Sequence, residues 1–100
     1  MRLTPNQHET IMRVVRDHAG ADATVFLYGS RTQDDRRGGD VDLLVRSAHP
    51  IDPLRQATLL ARLEEALLLP VDISFVDARR GMTRFQKLAA AQAVPLGVAR

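Results

Sequence analysis

Leu27-Tyr28-Gly29-Ser30-Arg31, a polar loop running to Gly39, and then Asp40-Val41-Asp42-Leu43-Leu44-Val45 form the stretch whose reading decides the fold. It is an apolar strand, a tight Gly-Ser turn, a charged loop, and a second strand that opens on two carboxylates. Strand side chains alternate between faces, so Asp40 and Asp42 point one way while Val41, Leu43 and Val45 point the other, toward a core. Two carboxylates side by side repel each other unless a cation lies between them. Hard oxygen donors at this spacing suit Mg²⁺, which takes one or two carboxylates together with substrate phosphates. Gly29 permits a sharp turn and a close approach of backbone to ligand. Ser30 is placed to start a short helix whose amides, with its hydroxyl, make an anion site. Alone, Gly29-Ser30 is a plain turn with a helix cap; the carboxylates downstream favour phosphate binding. Arg31 is near enough to the turn to meet a phosphate.

Upstream, Thr24 to Tyr28 is β-branched and aromatic and reads as the first strand. Before it, Thr4-Pro5-Asn6-Gln7 combines an N-cap, a proline at the first helical position and a capping-box glutamine. Ile11, Val14, Val15 and Ala19 continue at helical spacing, and Gly20 stops the helix. His8 and His18 lie at the edges of this stripe and read as ordinary histidines, since no third ligand keeps spacing with them.

Downstream, Gln33 to Gly39 reads as an exposed loop, with Arg36 and Arg37 as solvated charges. His49-Pro50 ends the second strand region. Asp52-Pro53 repeats the cap-then-proline signal, and a helix runs from there to about Leu68. One of its flanks carries Leu59, Leu60, Leu63 and Leu67, the other Leu54, Ala57, Ala61 and Leu68. One flank packs on the sheet; the other is either core or a contact for a partner. Pro70 stops the helix. Val71 to Val76 is the third strand, with Val71, Ile73 and Phe75 on one face and Asp72, Ser74 and Val76 on the other. Asp72 opens that strand, and Asp77, at its far end, reads as a loop or cap residue. Arg79-Arg80-Gly81 is a loop. Met82, Phe85, Leu88, Ala89 and Ala93 mark a last helix that must end near Val94, before Pro95. Leu96 to Arg100 receives no assignment.

Gly29-Ser30, Asp40-Val41-Asp42 after a short loop, and the downstream Asp72 together resemble the nucleotidyltransferase superfamily that includes DNA polymerase β. The short chain narrows the resemblance to its minimal nucleotidyltransferases, many of which are antitoxin partners of HEPN-domain ribonucleases. The resemblance implies a small α+β fold: a mixed β-sheet with helices mainly on one face, in the order α-β-α-β-α-β-α, filling residues 1–100 as one domain. It also implies Asp40, Asp42 and Asp72 as catalytic and metal-binding residues holding two Mg²⁺ ions, about 3.5–4 Å apart in two-metal sites. Gly29, Ser30 and Arg31 are then the nucleotide-binding residues. Asp72 would orient or deprotonate the attacking hydroxyl. The donor would be ATP and the acceptor a tyrosine of the HEPN toxin, so the chain would be an AMP-transferring antitoxin. Two other readings stay open: an antitoxin that acts by binding alone, and transfer to a small molecule or an RNA end.

Composition sets the outer bounds. One hundred residues make one domain with a modest core, and 45% hydrophobic residues fit a globular chain. The absence of cysteine excludes disulfides and thiolate metal sites. No apolar run reaches transmembrane length and no signal segment is legible, so the expected location is the cytoplasm, away from membranes. The net charge of +2 comes with four aromatic residues and scattered arginines. That is a poor footprint for direct nucleic-acid binding, which needs a clustered basic face with stacking residues. The surplus apolar surface points instead to a homo- or hetero-oligomer.

Overall fold

The computed structural model describes residues 3–28 and 41–99. The first helix, α1 (Pro5–Ala19), begins where the sequence places it. Thr4 Oγ1 accepts from the Gln7 amide at 3.1 Å, and Gln7 Oε1 accepts from the Thr4 amide at 2.9 Å. This reciprocal pair satisfies two amides that a helix start otherwise leaves without partners. Gly20 closes the helix at φ 103°, a conformation open to glycine, and donates to the Arg16 carbonyl.

Two antiparallel strands follow, β1 (Thr24–Tyr28) and β2 (Val41–Ser47). Helix α2 (Pro53–Leu67) starts at Asp52, whose Oδ1 accepts from the Arg55 amide at 2.8 Å. It ends on Leu68 in the left-handed region at φ 57°. β3 (Val71–Asp77) lies parallel to β2, as a strand reached through a helical crossover can. Helix α3 (Arg84–Ala91) and β4 (Val94–Val98) complete the chain, and the sheet order is β3-β2-β1-β4.

Helices α1 and α2 pack on one face of this mixed sheet. Ile11, Val14 and Val15 from α1 meet Leu59, Leu63 and Leu67 from α2 over Val25, Leu27, Val41, Leu43, Val45 and Val71. The alternation expected of the second strand holds: Val41, Leu43 and Val45 are fully buried in that core. The α2 flank left open by the sequence is exposed, with Leu54 at 78% and Leu68 at 85% of full accessibility. Leu44 and Val76 are buried too, but they leave the sheet on its opposite face, where α3 lies against β1 and β2.

The end of the chain departs from expectation. The last helix stops at Ala91 rather than near Val94, and Val94–Val98 is a strand paired with β1. Pro95 and Gly97 are poor strand formers, which hides the strand from propensity. Both are tolerated because β4 is an edge and its pairing is irregular between Val25 and Phe26. The apolar residues that mark the last helix do not enter the core: α3 has no buried residue, and Phe85 and Leu88 are exposed. The helix is held instead by a capping box between Thr83 and Gln86, and by Gln86 Nε2 donating to Ser74 Oγ at 3.0 Å and the Phe75 carbonyl at 2.9 Å. The short helix expected from Ser30 lies outside the described residues. No helix among the described residues is long and apolar enough to cross a membrane.

Candidate active site

Asp42 and Asp72 are direct register partners on the parallel strands β2 and β3. In-register neighbours project to the same face, and adjacent strands lie about 4.8 Å apart, so the two carboxylates stand side by side. Tyr28 of β1 is in turn the register partner of Asp42. One row therefore crosses three strands as Tyr28, Asp42, Asp72. It lies on the face opposite the α1–α2 core, because Leu27, Val41, Leu43 and Val71 on either side of it point into that core.

Local bonds hold this row in place. The Val41 amide donates to the Pro70 carbonyl at 2.9 Å, which aligns the starts of β2 and β3. The Val71 amide donates to Glu64 Oε2 at 2.9 Å, so the last turns of α2 fix the backbone next to Asp72. Leu44, one alternation further along β2, is fully buried between its register partners Phe26 and Ser74 and floors the site. Asp42 is half-buried and Asp72 exposed, so the pair opens to solvent at the end of the sheet where β1 leaves and β2 enters.

Of the residues singled out from the sequence, the structure brings Asp42 and Asp72 together. Gly29, Ser30, Arg31 and Asp40 lie outside the described residues. Asp77 serves its own turn, its Oδ1 accepting from the Arg79 amide and its carbonyl from the Arg80 and Gly81 amides. His8 contacts the Leu96 carbonyl through Nε2, an ordinary structural histidine that ties α1 to β4. Among the described residues no group of three or more His, Cys, Asp and Glu is poised to hold a metal. The Asp42–Asp72 pair is nonetheless a hard-oxygen donor set on an open face, and it fits a divalent cation completed by a third ligand and by phosphate oxygens.

The sequence reading missed Tyr28. Its phenol is held above the ordinary value by burial first, then by the charges of Asp72 and Asp42. Its ring meets Phe85 of α3 edge-on, with centroids 6.2 Å apart and planes at 75°. The signal was present: with Leu27 facing the core, alternation sends Tyr28 to the other face, next to whichever residue pairs with it. A cavity of about 430 Å³ lies at the far end of β2 and β3, lined by Ser47, Ile51, Val76, Met82 and Thr83, and is separate from the carboxylates.

Comparison with known proteins gives a consistent picture. The model of the nucleotidyltransferase domain family matches residues 8–93. No curated protein matches the chain. A solved structure described as a putative minimal nucleotidyltransferase is 27% identical with a TM-score of 0.68, covering 90% of this chain and 89% of that one. A toxin–antitoxin structure with AMP-PNP is 26% identical with a TM-score of 0.75, covering 93% of this chain and 74% of that one. A complex of a tri-AMPylated Shewanella oneidensis HEPN toxin with its MNT antitoxin is 25% identical with a TM-score of 0.70, covering 91% and 69%.

Proposed function

The chain belongs to the nucleotidyltransferase domain family, and from that premise we propose that it transfers AMP from ATP to a hydroxyl of a protein acceptor, a tyrosine of a HEPN toxin, and so acts as that toxin's antitoxin. The observation that carries the proposal is the in-register Asp42–Asp72 pair on the open face of the sheet. The chain's likeness to the AMP-PNP-bound toxin–antitoxin and to the AMPylated complex supports the choice of nucleotide and partner. Residues 1–100 would work as one domain in the cytoplasm.

In this reading Asp40, Asp42 and Asp72 would hold Mg²⁺, two ions in all, and Gly29, Ser30 and Arg31 would hold the phosphates of the nucleotide. Bound Mg²⁺ would neutralise triphosphate charge and lower the pKa of the attacking hydroxyl. Asp72, the more exposed of the described pair, orients that hydroxyl and takes up its proton. The hydroxyl oxygen forms a bond to the α-phosphorus as the bond to the β-phosphate oxygen breaks, and pyrophosphate leaves. Binding alone would not require two carboxylates in register, where their repulsion is a cost.

The test is label transfer from α-labelled ATP to a purified HEPN partner, with and without Mg²⁺. Labelled partner with wild type, and its loss on Asp42→Asn, supports the proposal. A wild-type protein that binds the partner but leaves it unlabelled overturns it in favour of a binding antitoxin. Label on a small molecule or RNA end, with the partner unlabelled, moves the activity to another acceptor.

A further inference from the structure

We propose that the outer edge of β3 is the acceptor site: it takes a short extended segment of the acceptor protein as an added strand, with a hydroxyl-bearing residue in register with Asp72. The proposal deepens the nucleotidyl-transfer reading above and rests on it. β3 lies at one edge of the sheet, with β2 as its neighbour. The Val41 amide donates to the Pro70 carbonyl and the Ala78 amide to the Ser47 carbonyl, both at 2.9 Å. In a parallel ladder these bonds turn the backbone groups of Asp72, Ser74 and Val76 toward β2, and those of Val71, Ile73 and Phe75 outward. Two outward groups are taken: the Val71 amide by Glu64 Oε2, and the Phe75 carbonyl by Gln86 Nε2. Between these bonds, the Val71 carbonyl, both groups of Ile73 and the Phe75 amide have no partner among the described residues. A three-residue segment running parallel to β3 pairs with all of them. Its first residue, beside Asp72, donates to the Val71 carbonyl and accepts from the Ile73 amide. Its third donates to the Ile73 carbonyl and accepts from the Phe75 amide. The β4 edge offers no such run: Pro95 has no amide hydrogen, and His8 Nε2 already bonds the Leu96 carbonyl.

The surface beside this open edge suits a polypeptide. A groove of about 300 Å³ is lined by Asp72, Ile73 and Phe75 of β3 and by Pro53, Ala57 and Leu60 of α2. Leu60, Ile73 and Phe75 are only half-buried, so they offer apolar surface to an incoming side chain. Alternation sends the middle residue of the segment into this groove, and its first and third residues to the open face with Asp72 and Ser74. The residue beside Asp72 is therefore the one whose hydroxyl meets the carboxylates. Charge selects the occupant: an acidic residue at that place would add a third like charge to Asp42 and Asp72, whereas a neutral hydroxyl adds none. The same repulsion disfavours a second copy of this chain, whose paired β3 would bring its own Asp72 to this face.

Hydrogen exchange at the Ile73 and Phe75 amides, read by NMR, tests the pairing without requiring activity. Both amides should exchange fast in the free protein and slow by about tenfold or more when the purified HEPN partner binds. A partner that binds by light scattering and leaves both amides fast overturns the proposal. Protection in the protein alone, rising with its concentration, gives the edge to a second copy and overturns it too. In the transfer assay, Ile73→Pro removes an outward donor and spares the β2 ladder. It should raise KM for the acceptor about tenfold, the upper worth of one backbone hydrogen bond, with KM for Mg·ATP unchanged. Ala57→Gln, at an exposed helix position, narrows the groove and should act in the same direction even if Ile73→Pro fails to fold. An unchanged acceptor KM in the folded variants overturns the proposal. Protection of both amides by a partner that the wild type leaves unlabelled overturns the nucleotidyl-transfer reading and the acceptor role with it, while the strand pairing stands.

Discussion

Asp42 and Asp72, thirty residues apart in the chain, are register partners on adjacent parallel strands. The helix between them, α2, sends its Glu64 carboxylate to the Val71 amide and so sets where β3 begins. A shift of one residue in that start would turn Asp72 toward the core and Val71 toward solvent. In the mechanism proposed above the two carboxylates have different roles, and mutation can separate them.

Asp42→Asn should weaken both Mg·ATP binding and transfer. Asp72→Asn should leave Mg·ATP affinity within a few-fold while transfer falls about 10²-fold or more, the range for a positioned general base. The amide keeps the side chain's shape, so folding is preserved. Calorimetric titration and label transfer, run on both variants, give the comparison. A wild-type rate for Asp72→Asn would make Asp72 an ordinary solvated residue.

ATP should bind weakly without Mg²⁺ and more tightly with it, because the carboxylates otherwise repel the triphosphate. Titration of the wild type in chelator and in Mg²⁺ reads this directly. Equal affinities would remove the metal from the site.

The two flanks of α2 should respond oppositely. Leu63→Ala, at a fully buried position, should cost about 2–5 kcal/mol in chemical denaturation. Leu54→Ala and Leu68→Ala, both at exposed positions, should each stay within about 0.5 kcal/mol. If that exposed flank seats the partner, replacing Leu54 and Leu68 together by aspartate should weaken the complex about tenfold or more without lowering the melting temperature of the free protein. Unchanged affinity would place the interface elsewhere, with α3 and its exposed Phe85 and Leu88 next to be tried.

Tyr28 should titrate above the ordinary phenol value near 10, raised by burial and then by Asp72 and Asp42. The sign for stability follows from the raised folded-state value. The contribution is fully present below the unfolded pKa and is lost as pH rises through the folded one, because the unfolded chain releases its proton first. Absorbance at the tyrosinate band, with a single tyrosine to report, gives the midpoint. Asp72→Asn should lower it; no change would remove the carboxylate influence and leave burial alone.

How far the sequence alone reached depended on the range of the physics involved. Thr4-Pro5 and Asp52-Pro53 announce helix starts because a cap bonds an amide three residues away and proline sets its own φ, and both starts are where they were expected. Alternation placed Val41, Leu43 and Val45 in the core, and put Asp42 and Asp72 off it, because pleating is a property of each strand by itself. Which strands pair is not local. The sheet order β3-β2-β1-β4, the register that sets Asp42 beside Asp72, and the arrival of Tyr28 in the same row all come from contacts between distant segments. The strand Val94–Val98 shows the limit most clearly: Pro95 and Gly97 argue against it residue by residue, and only the open edge of β1 makes it a strand. Composition and spacing determined that this chain carries paired carboxylates on strands around a small core; the tertiary structure decided what stands next to them, because side chains on different strands become neighbours only once the backbones have paired.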